Sequence, residues 1–466
     1  LSIFSQGSRG GFSLAQGHPL PRKPEENMTE DGKIPLMDLV LGLADMTDLV
    51  SPDLVNHHLE VAYIAGELAG ETGLPGEKRA ELVTAGALHD LGALSLTEKL
   101  GAMRFEARNP YGHAEMGYRL LKTFAPFEGV AELVRFHHSR WDRGDGSGAD
   151  PRAVPLGCHV LHLADRVAVL KDRRSHILDQ ADGIREKIRR ESGAMFQPDL
   201  VGAFLRVSEK PAFWLSTASP RAELARPADG DGPALRLDSC ELLALTRLFA
   251  HIIDFRSRFT ATHSAGVASV ARELAALAGM NERERLLMEI AGYLHDLGKL
   301  AVPAEILDKE EPLTRHEFNV IYTHPFHTGR ALRRIRGLGE ASVWAADHHE
   351  RLDGRGYPYR LPAGRLPLGS RITAVADVFT AIVEGRPYQE RMGPETAIKI
   401  IGQLAEKGQL DPAIHELLAA NAGRVDSERA RAQAAAATEY ENFNSRAGAY
   451  LREECSPRHG GHGGGL

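Results

Sequence analysis

The chain has 466 residues, room for two or three domains, and its 43% hydrophobic and 26% charged content fits a soluble globular protein. A formal charge of -7 leaves no basic footprint, which argues against a nucleic-acid polymer as partner. Three cysteines (Cys158, Cys240, Cys455), scattered and odd in number, argue against a disulfide framework and for a reducing cytoplasm. No apolar run nears the ~18 residues of a membrane span, and no basic stretch leads into an apolar core as in a secretory leader. The 21 histidines are many for this length, and only a few fall in the Gly-rich tail.

Residues 1–33 are rich in Gly, Ser and Pro without a period, which predicts a disordered N-terminal segment. From Pro35 the pattern is helical. Leu36, Leu39, Leu43, Met46 and Leu49 recur at spacings of three and four, and Leu242, Leu245, Phe249, Ile252 and Phe255 do the same. Alternating runs and Val/Ile/Thr clusters are scarce, so the fold class expected is all-α.

The matching registers of those two helices point to an internal repeat. An offset of 206 carries Leu242 onto Leu36, His263 onto His57, and His295-Asp296-Leu297-Gly298 onto His89-Asp90-Leu91-Gly92. Further on the order holds with small changes of spacing: His324, the doublet His348-His349 and Asp377 answer to His113, His137-His138 and Asp165. Recurrence of seven ligand-type residues in one order marks a tandem duplication. The copies span 34–215 and 238–425, joined by a linker at 216–237. Residues 426–466 read as a polar, Ala-rich helical extension, solvated, ending in a flexible tail.

In the second copy, Leu286, Leu287, Ile290 and Leu294 mark a buried helix face that ends at His295-Asp296, with Gly298 placed to terminate it. A histidine and a carboxylate in adjacent positions suit a pair of metal ions, the carboxylate bridging them. Asp377 lies among small apolar residues, where a buried carboxylate must be paired or metal-bound. His263 starts a core helix, and His324-Pro325 ends or begins another. Helices carrying these groups to one point would make a metal site in the core of a bundle. Mixed imidazole and carboxylate ligation suits Fe or Mn, then Zn or Co, better than Ca or Mg.

The series His263, His295-Asp296-x-Gly298-Lys299, His324, His348-His349, Asp377 resembles the HD superfamily of metal-dependent phosphohydrolases. Asp353-Gly354-x-Gly356-Tyr357-Pro358, Pro367-Leu368-Gly369-Ser370-Arg371-Ile372 and Arg386-Pro387-Tyr388 are similar to its HD-GYP branch. The resemblance covers essentially the whole second copy. It implies two tandem HD-type helical bundle domains and a phosphodiesterase that hydrolyses cyclic di-GMP to pGpG, GMP or both, by a hydroxide activated between two metals. It further implies that His263, His295, Asp296 and Asp377 hold one metal, and that Asp296, His324, His348 and His349 hold the other. Asp296 and Lys299 would be catalytic, with Lys299 at the phosphate or the leaving oxygen. Gly356, Tyr357, Pro358 and Arg386 would bind substrate, Tyr357 stacking near a guanine and Arg386 meeting a phosphate bidentately. Two departures matter. Phe259 stands where some members place a third-metal glutamate, and Gln389 replaces a basic residue after Arg-Pro-Tyr.

The first copy keeps the ligand set of a second metal site, His57, His89, Asp90, His113, His137, His138 and Asp165. It has Ala93 in place of the lysine and no Gly-Tyr-Pro after its doublet, so it resembles an HD domain outside the GYP branch. Asp53, four before His57, fits a helix start after Ser51-Pro52. A regulatory, sensing or packing role suits this copy at least as well as catalysis. Two alternatives stand beside cyclic di-GMP hydrolysis: turnover of another cyclic dinucleotide or nucleotide, and a metal-loaded signalling scaffold that binds the dinucleotide or a diguanylate cyclase without turnover. Lys299 together with all seven ligands favours an enzyme. An oligomer is compatible with the sequence.

Overall fold

Leucine and alanine at helical spacing, with few β-branched runs, leave helix as the favoured state of nearly every long segment. The structure, a computed structural model, describes residues 33–105, 111–142, 154–224, 235–256, 261–384 and 392–455. The segments read as disordered or flexible, 1–32 and 456–466, lie outside the described residues.

The first copy opens with α1 (Leu36–Asp48), α2 (His57–Glu71), α3 (Gly76–Leu88), α4 (Leu96–Ala102), α5 (Tyr111–Leu121), α6 (Glu128–Arg135) and α7 (Leu156–Val169). It closes with α8 (Ile177–Arg190), α9 (Pro198–Val207), α10 (Pro211–Ser216) and α11 (Pro220–Leu224). The second runs through α12 (Ser239–Asp254), α13 (His263–Leu277), α14 (Glu282–Leu294), α15 (Ala304–Leu307), α16 (Arg315–Tyr322), α17 (His324–Leu332), α18 (Gly339–Ala346), α19 (Leu368–Glu384), α20 (Pro394–Glu406) and α21 (Pro412–Ala420). A last helix, α22, covers Ala422–Cys455. The fold is all-α, with two helical bundles in tandem. Among the described residues the strands are a two-residue pair, β1 (Ile34–Pro35) against β2 (Arg236–Leu237), antiparallel with Ile34 opposite Leu237. Of the stretch read as a linker, Ser216 closes α10, Pro220–Leu224 is helical, and 225–234 lies outside the described residues.

Local chemistry sets several helix starts. Capping boxes pair Asp238 with Glu241, Asn281 with Glu284, Thr314 with Glu317 and Ser95 with Glu98, each satisfying two amides that the helix itself leaves open. The repeat is as regular in three dimensions as in sequence: α2 and α13, and α3 and α14, have the same lengths and begin 206 residues apart. The crossing within each pair depends on one glycine. A Cβ on Gly86 would lie 2.6 Å from the Ala62 Cα, and one on Gly292 would lie 2.4 Å from the Ala268 Cα. That close approach brings the first histidine of each copy against the His-Asp turn that follows the next helix.

The bundles lean on each other reciprocally. α1 packs on α17 and on the 3-10 turn Leu297–Ala301 of the second copy, while α12 packs on α5 of the first. One apolar core runs through both, from Leu39, Leu43 and Ile64 to Leu274, Ile290 and Phe379. Arg334 and Arg336 of the second copy pair with Asp45 and Asp38 of α1 at 3.2 Å each. The solvated reading of the C-terminal extension is corrected here. α22 packs on α13, with Val425, Arg429, Gln433 and Ala436 buried along one face. Half of that stripe is polar, so apolar periodicity does not reveal it. The Gln433 amide fills the space above Gly266, 2.9 Å from where a Cβ would stand. No helix among the described residues is long and apolar enough to cross a membrane.

Candidate metal centre

In the second copy, helix ends deliver the polar groups to one point. His263 is the first residue of α13, His295 caps the end of α14, His324 opens α17, and His348 and His349 follow α18. Asp377 projects from the middle of α19. Three of the imidazoles are aimed by the helix that precedes each of them. The Nδ1 atoms of His295, His324 and His348 bond the carbonyls of Gly292, Ile321 and Ala345 at 2.7, 2.7 and 2.6 Å. Each leaves its Nε2 facing inward, the tautomer a metal ligand needs.

Two of those nitrogens face Asp296. Its Oδ2 lies 3.2 Å from His295 Nε2, and its Oδ1 lies 3.2 Å from His324 Nε2. Asp377 Oδ1 is 3.2 Å from His263 Nε2 and 3.9 Å from His295 Nε2, and its Oδ2 is 3.9 Å from His349 Nδ1. His324 and His348 face each other Nε2 to Nε2 at 3.2 Å. Lys299 Nζ reaches Asp296 Oδ2 at 2.6 Å. Two clusters result, each with its ligand atoms within 4.8 Å of one another: His263, His295 and Asp296, and His324, His348 and His349.

Burial would raise the Asp296 carboxyl, but His295 and Lys299 hold it well below its usual range. Asp377 is likewise held low against burial by His263 and His295. Burial and then His349 depress His348, and burial and then His324 depress His349 to about 3, so both imidazoles stay neutral and free to ligate. The side chains fit divalent metal: two buried carboxylates kept ionised, a histidine doublet kept neutral, and His295 Nε2 buried without a well-aligned hydrogen-bond partner, while Asp377 and Glu384 push His263, against burial, up to about 9, a charge that a bound metal would replace.

Several supporting residues carry no motif. Glu384 Oε2 lies 3.0 Å from His263 Nδ1 and Oε1 accepts from Thr262 Oγ1, so this carboxylate orients the imidazole from behind. Asp254 accepts from the amide and hydroxyl of Ser264 at 3.2 and 2.9 Å and so fixes the start of α13. The repeat could have revealed it: Asp48, 206 residues earlier, holds His58 in the same way. Thr328 donates to the His295 carbonyl and accepts from the Gly298 amide, fastening the turn to α17.

The Gly-Tyr-Pro turn folds back on the doublet. A Cβ on Gly356 would lie 2.4 Å from Glu350 Cα, so only glycine allows that return. Buried Glu350 holds the turn, accepting from the amides of Tyr359 at 2.6 Å and Leu361 at 3.0 Å. Loss of this acceptor in Glu350→Ala is expected to cost about 3 kcal/mol of stability, read from urea unfolding of the intact chain. Tyr357 stacks on Tyr322 at 3.8 Å and lies 4.7 Å from the His349 ring, tilted 31°. Two near-parallel rings so close cannot share a face, so both faces of Tyr357 are covered. A guanine would stack there only with Tyr322 displaced. Pro358 follows in the same turn, and Arg386, expected at a phosphate, lies outside the described residues, as do Phe259 and Gln389.

The first copy repeats the arrangement and closes it. His57, His89 and Asp165 form one cluster, and Asp90, His113, His137 and His138 form the other. Both His57 ring nitrogens, His89 Nε2, His137 Nε2 and Asp165 Oδ1 are buried without hydrogen-bond partners. Arg166 takes the other oxygen of Asp165 at 2.6 Å and donates to the carbonyls of Ala102 and Phe105 at 3.0 and 3.1 Å. It thus ties the end of α4 to the site, and Lys99 of α4 is itself buried. Val378 occupies the Arg166 position in the second copy. The consequence is access: the side chains of Asp377 and Lys299 are 10% and 15% exposed and His349 is half-buried, whereas Asp165 is 2% exposed and His138, at the place of His349, is buried.

Comparison with known proteins gives the same two units. Residues 54–170 and 247–414 each match an HD domain family. The 3'3'-cGAMP-specific phosphodiesterase 1 of Vibrio cholerae is 29% identical over 388 residues, 81% of this chain and 90% of its own length. The 3'3'-cGAMP-specific phosphodiesterase 3 of the same organism is 30% identical, over 59% of each chain. A cyclic di-GMP phosphodiesterase response regulator of Xanthomonas campestris is 38% identical over 36% of this chain and 44% of its own. The crystal structure of a V. cholerae cyclic GMP-AMP-specific phosphodiesterase has the same fold, with a TM-score of 0.59 and 22% identity over 84% of this chain and 98% of the other. With both halves matched in order and a histidine–aspartate cluster in each, the chain belongs to the HD family of metal-dependent phosphohydrolases and carries two HD domains in tandem.

Proposed function

We propose that the second copy is a phosphodiesterase that hydrolyses a cyclic dinucleotide. The observation that carries this reading is the double cluster around Asp296, open to solvent on the side of Lys299, His349 and Asp377. His263, His295, Asp296 and Asp377 would hold one divalent ion, and Asp296, His324, His348 and His349 the other. Two such ions, Fe or Mn first and Zn or Co next, supply an activated water and neutralise charge on a phosphodiester. Asp296 keeps its carboxylate ionised between the histidine groups. Lys299 brings a positive charge to the open rim, where it meets a non-bridging phosphate oxygen or the departing ribose oxygen. Tyr357, held between Tyr322 and His349, braces the doublet and walls the cleft, with Gly356, Pro358 and Arg386 completing the substrate side.

Cyclic di-GMP is the substrate that the Gly-Tyr-Pro turn supports. A second reading, 3'3'-cGAMP, is favoured by the relatives named for that substrate, one aligned over 81% of this chain and another over 59%. Protein purified without oxygen, loaded in turn with Fe, Mn, Co or Zn, is expected to convert one of the two to a linear dinucleotide, resolved by chromatography. No product from either with any of the four metals would overturn the reading and leave a metal-loaded signalling scaffold. We propose that the first copy, sealed by Arg166 and α4, holds its ions as a closed structural site without turnover of its own.

A further inference from the structure

Arg256 follows α12 and is 6% exposed. Its guanidinium bonds three backbone carbonyls and joins the two copies. Nη1 donates to the Lys299 carbonyl at 3.0 Å, Nη2 to Val302 at 2.9 Å, and Nε crosses to Leu94 of the first copy at 3.2 Å. Lys299 and Val302 bracket the end of the 3-10 turn that carries the lysine, and Leu94 directly follows Ala93, which holds the lysine's place in the first copy. The turns after the two His-Asp pairs are therefore held by one planar fork, which fixes the angle between its bonds as a lysine would not. The repeat makes this choice distinctive. At the same offset of 206 the first copy has Val50, an apolar residue that serves as packing. Burying a guanidinium costs far more than burying valine, and three aligned carbonyls offset that cost.

We propose that Arg256 is a positioning residue that sets the backbone of Lys299 and couples it to the metal site of the first copy. The inference rests on the role proposed above for Lys299. Asp90 lies four residues before Leu94, so movement of the first-copy turn reaches the lysine through one side chain.

The test uses the full chain with Arg256→Met, Arg256→Lys and Asp90→Ala, singly and combined, following cyclic dinucleotide turnover and hydrogen exchange of peptides spanning 297–303. Arg256→Met is expected to lower kcat about tenfold with KM within about twofold, and to speed exchange at 297–303. Arg256→Lys should recover part of both. Asp90→Ala should lower kcat about threefold and loosen 297–303 in the parent, yet add nothing to Arg256→Met, the signature of a shared path. Independent, additive effects would overturn the coupling. A folded Arg256→Met protein with parental kcat and parental exchange at 297–303 would overturn the positioning role. If the parent turns over no cyclic dinucleotide, the functional reading fails alone, because the exchange measurements still decide whether Arg256 links the two turns.

Discussion

Asp296→Ala is expected to remove turnover almost completely, by roughly a thousandfold, equivalent to about 4 kcal/mol of barrier. The reason is its place: Oδ1 faces His324 and Oδ2 faces His295 and Lys299, so one side chain serves both clusters. Its loss leaves His295 and His324, one from each cluster, without the carboxylate that joins them. Metal analysis should show second-copy occupancy falling together with activity. Asp90→Ala makes the same chemical change in the first copy and is expected to reduce turnover by less than about tenfold, since the chemistry is proposed for the open site. Equal losses in the two variants would place catalysis in both copies or neither.

Gly298→Ala is expected to act strongly, though less than Asp296→Ala, through backbone alone. A Cβ at this position would lie 1.9 Å from the His324 carbonyl oxygen and 2.9 Å from the Thr328 amide. The turn carrying Asp296 must then retreat from α17, which carries His324. A shift near 1 Å is enough to cost about a hundredfold in rate, and the overpacking itself costs about 3 kcal/mol of stability. Gly92 has the same contact in the first copy, 2.0 Å from the His113 carbonyl oxygen. Gly92→Ala should therefore lower the thermal midpoint comparably while leaving far more of the rate. Melting curves and kcat on the two variants separate the effects.

Much of the architecture was legible in sequence because the repeat is rigid where helices cross closely. The offset of 206 holds through α2 and α3, α13 and α14, since the glycine crossings leave no room for an inserted residue. It drifts only after the His-Asp turns, where α15 and α16 of the second copy replace α4 of the first. The ligand-type residues stood out because imidazoles and carboxylates in apolar helices need a reason. What sequence did not disclose were partners whose other half is backbone. Arg256 and Arg166 bond carbonyls, which no residue identity announces. Glu384 reaches His263 across 121 positions, and the Tyr322–Tyr357 stack depends on a turn geometry that a Gly-Tyr-Pro motif does not state. The buried stripe of α22 was hidden because Arg429 and Gln433 belong to it.

The reciprocal seating of α1 on α17 and α12 on α5 is the contact a two-fold homodimer makes. Here both subunits lie on one chain. In a homodimer every substitution strikes both sites at once, so neither can lose a catalytic group without the other. Fusion lifts that constraint: alanine at 93 and arginine at 166 alter one site only, and the other keeps Lys299 and an open rim. The shared interface thus allows one half to become a fixed support against which the other half works.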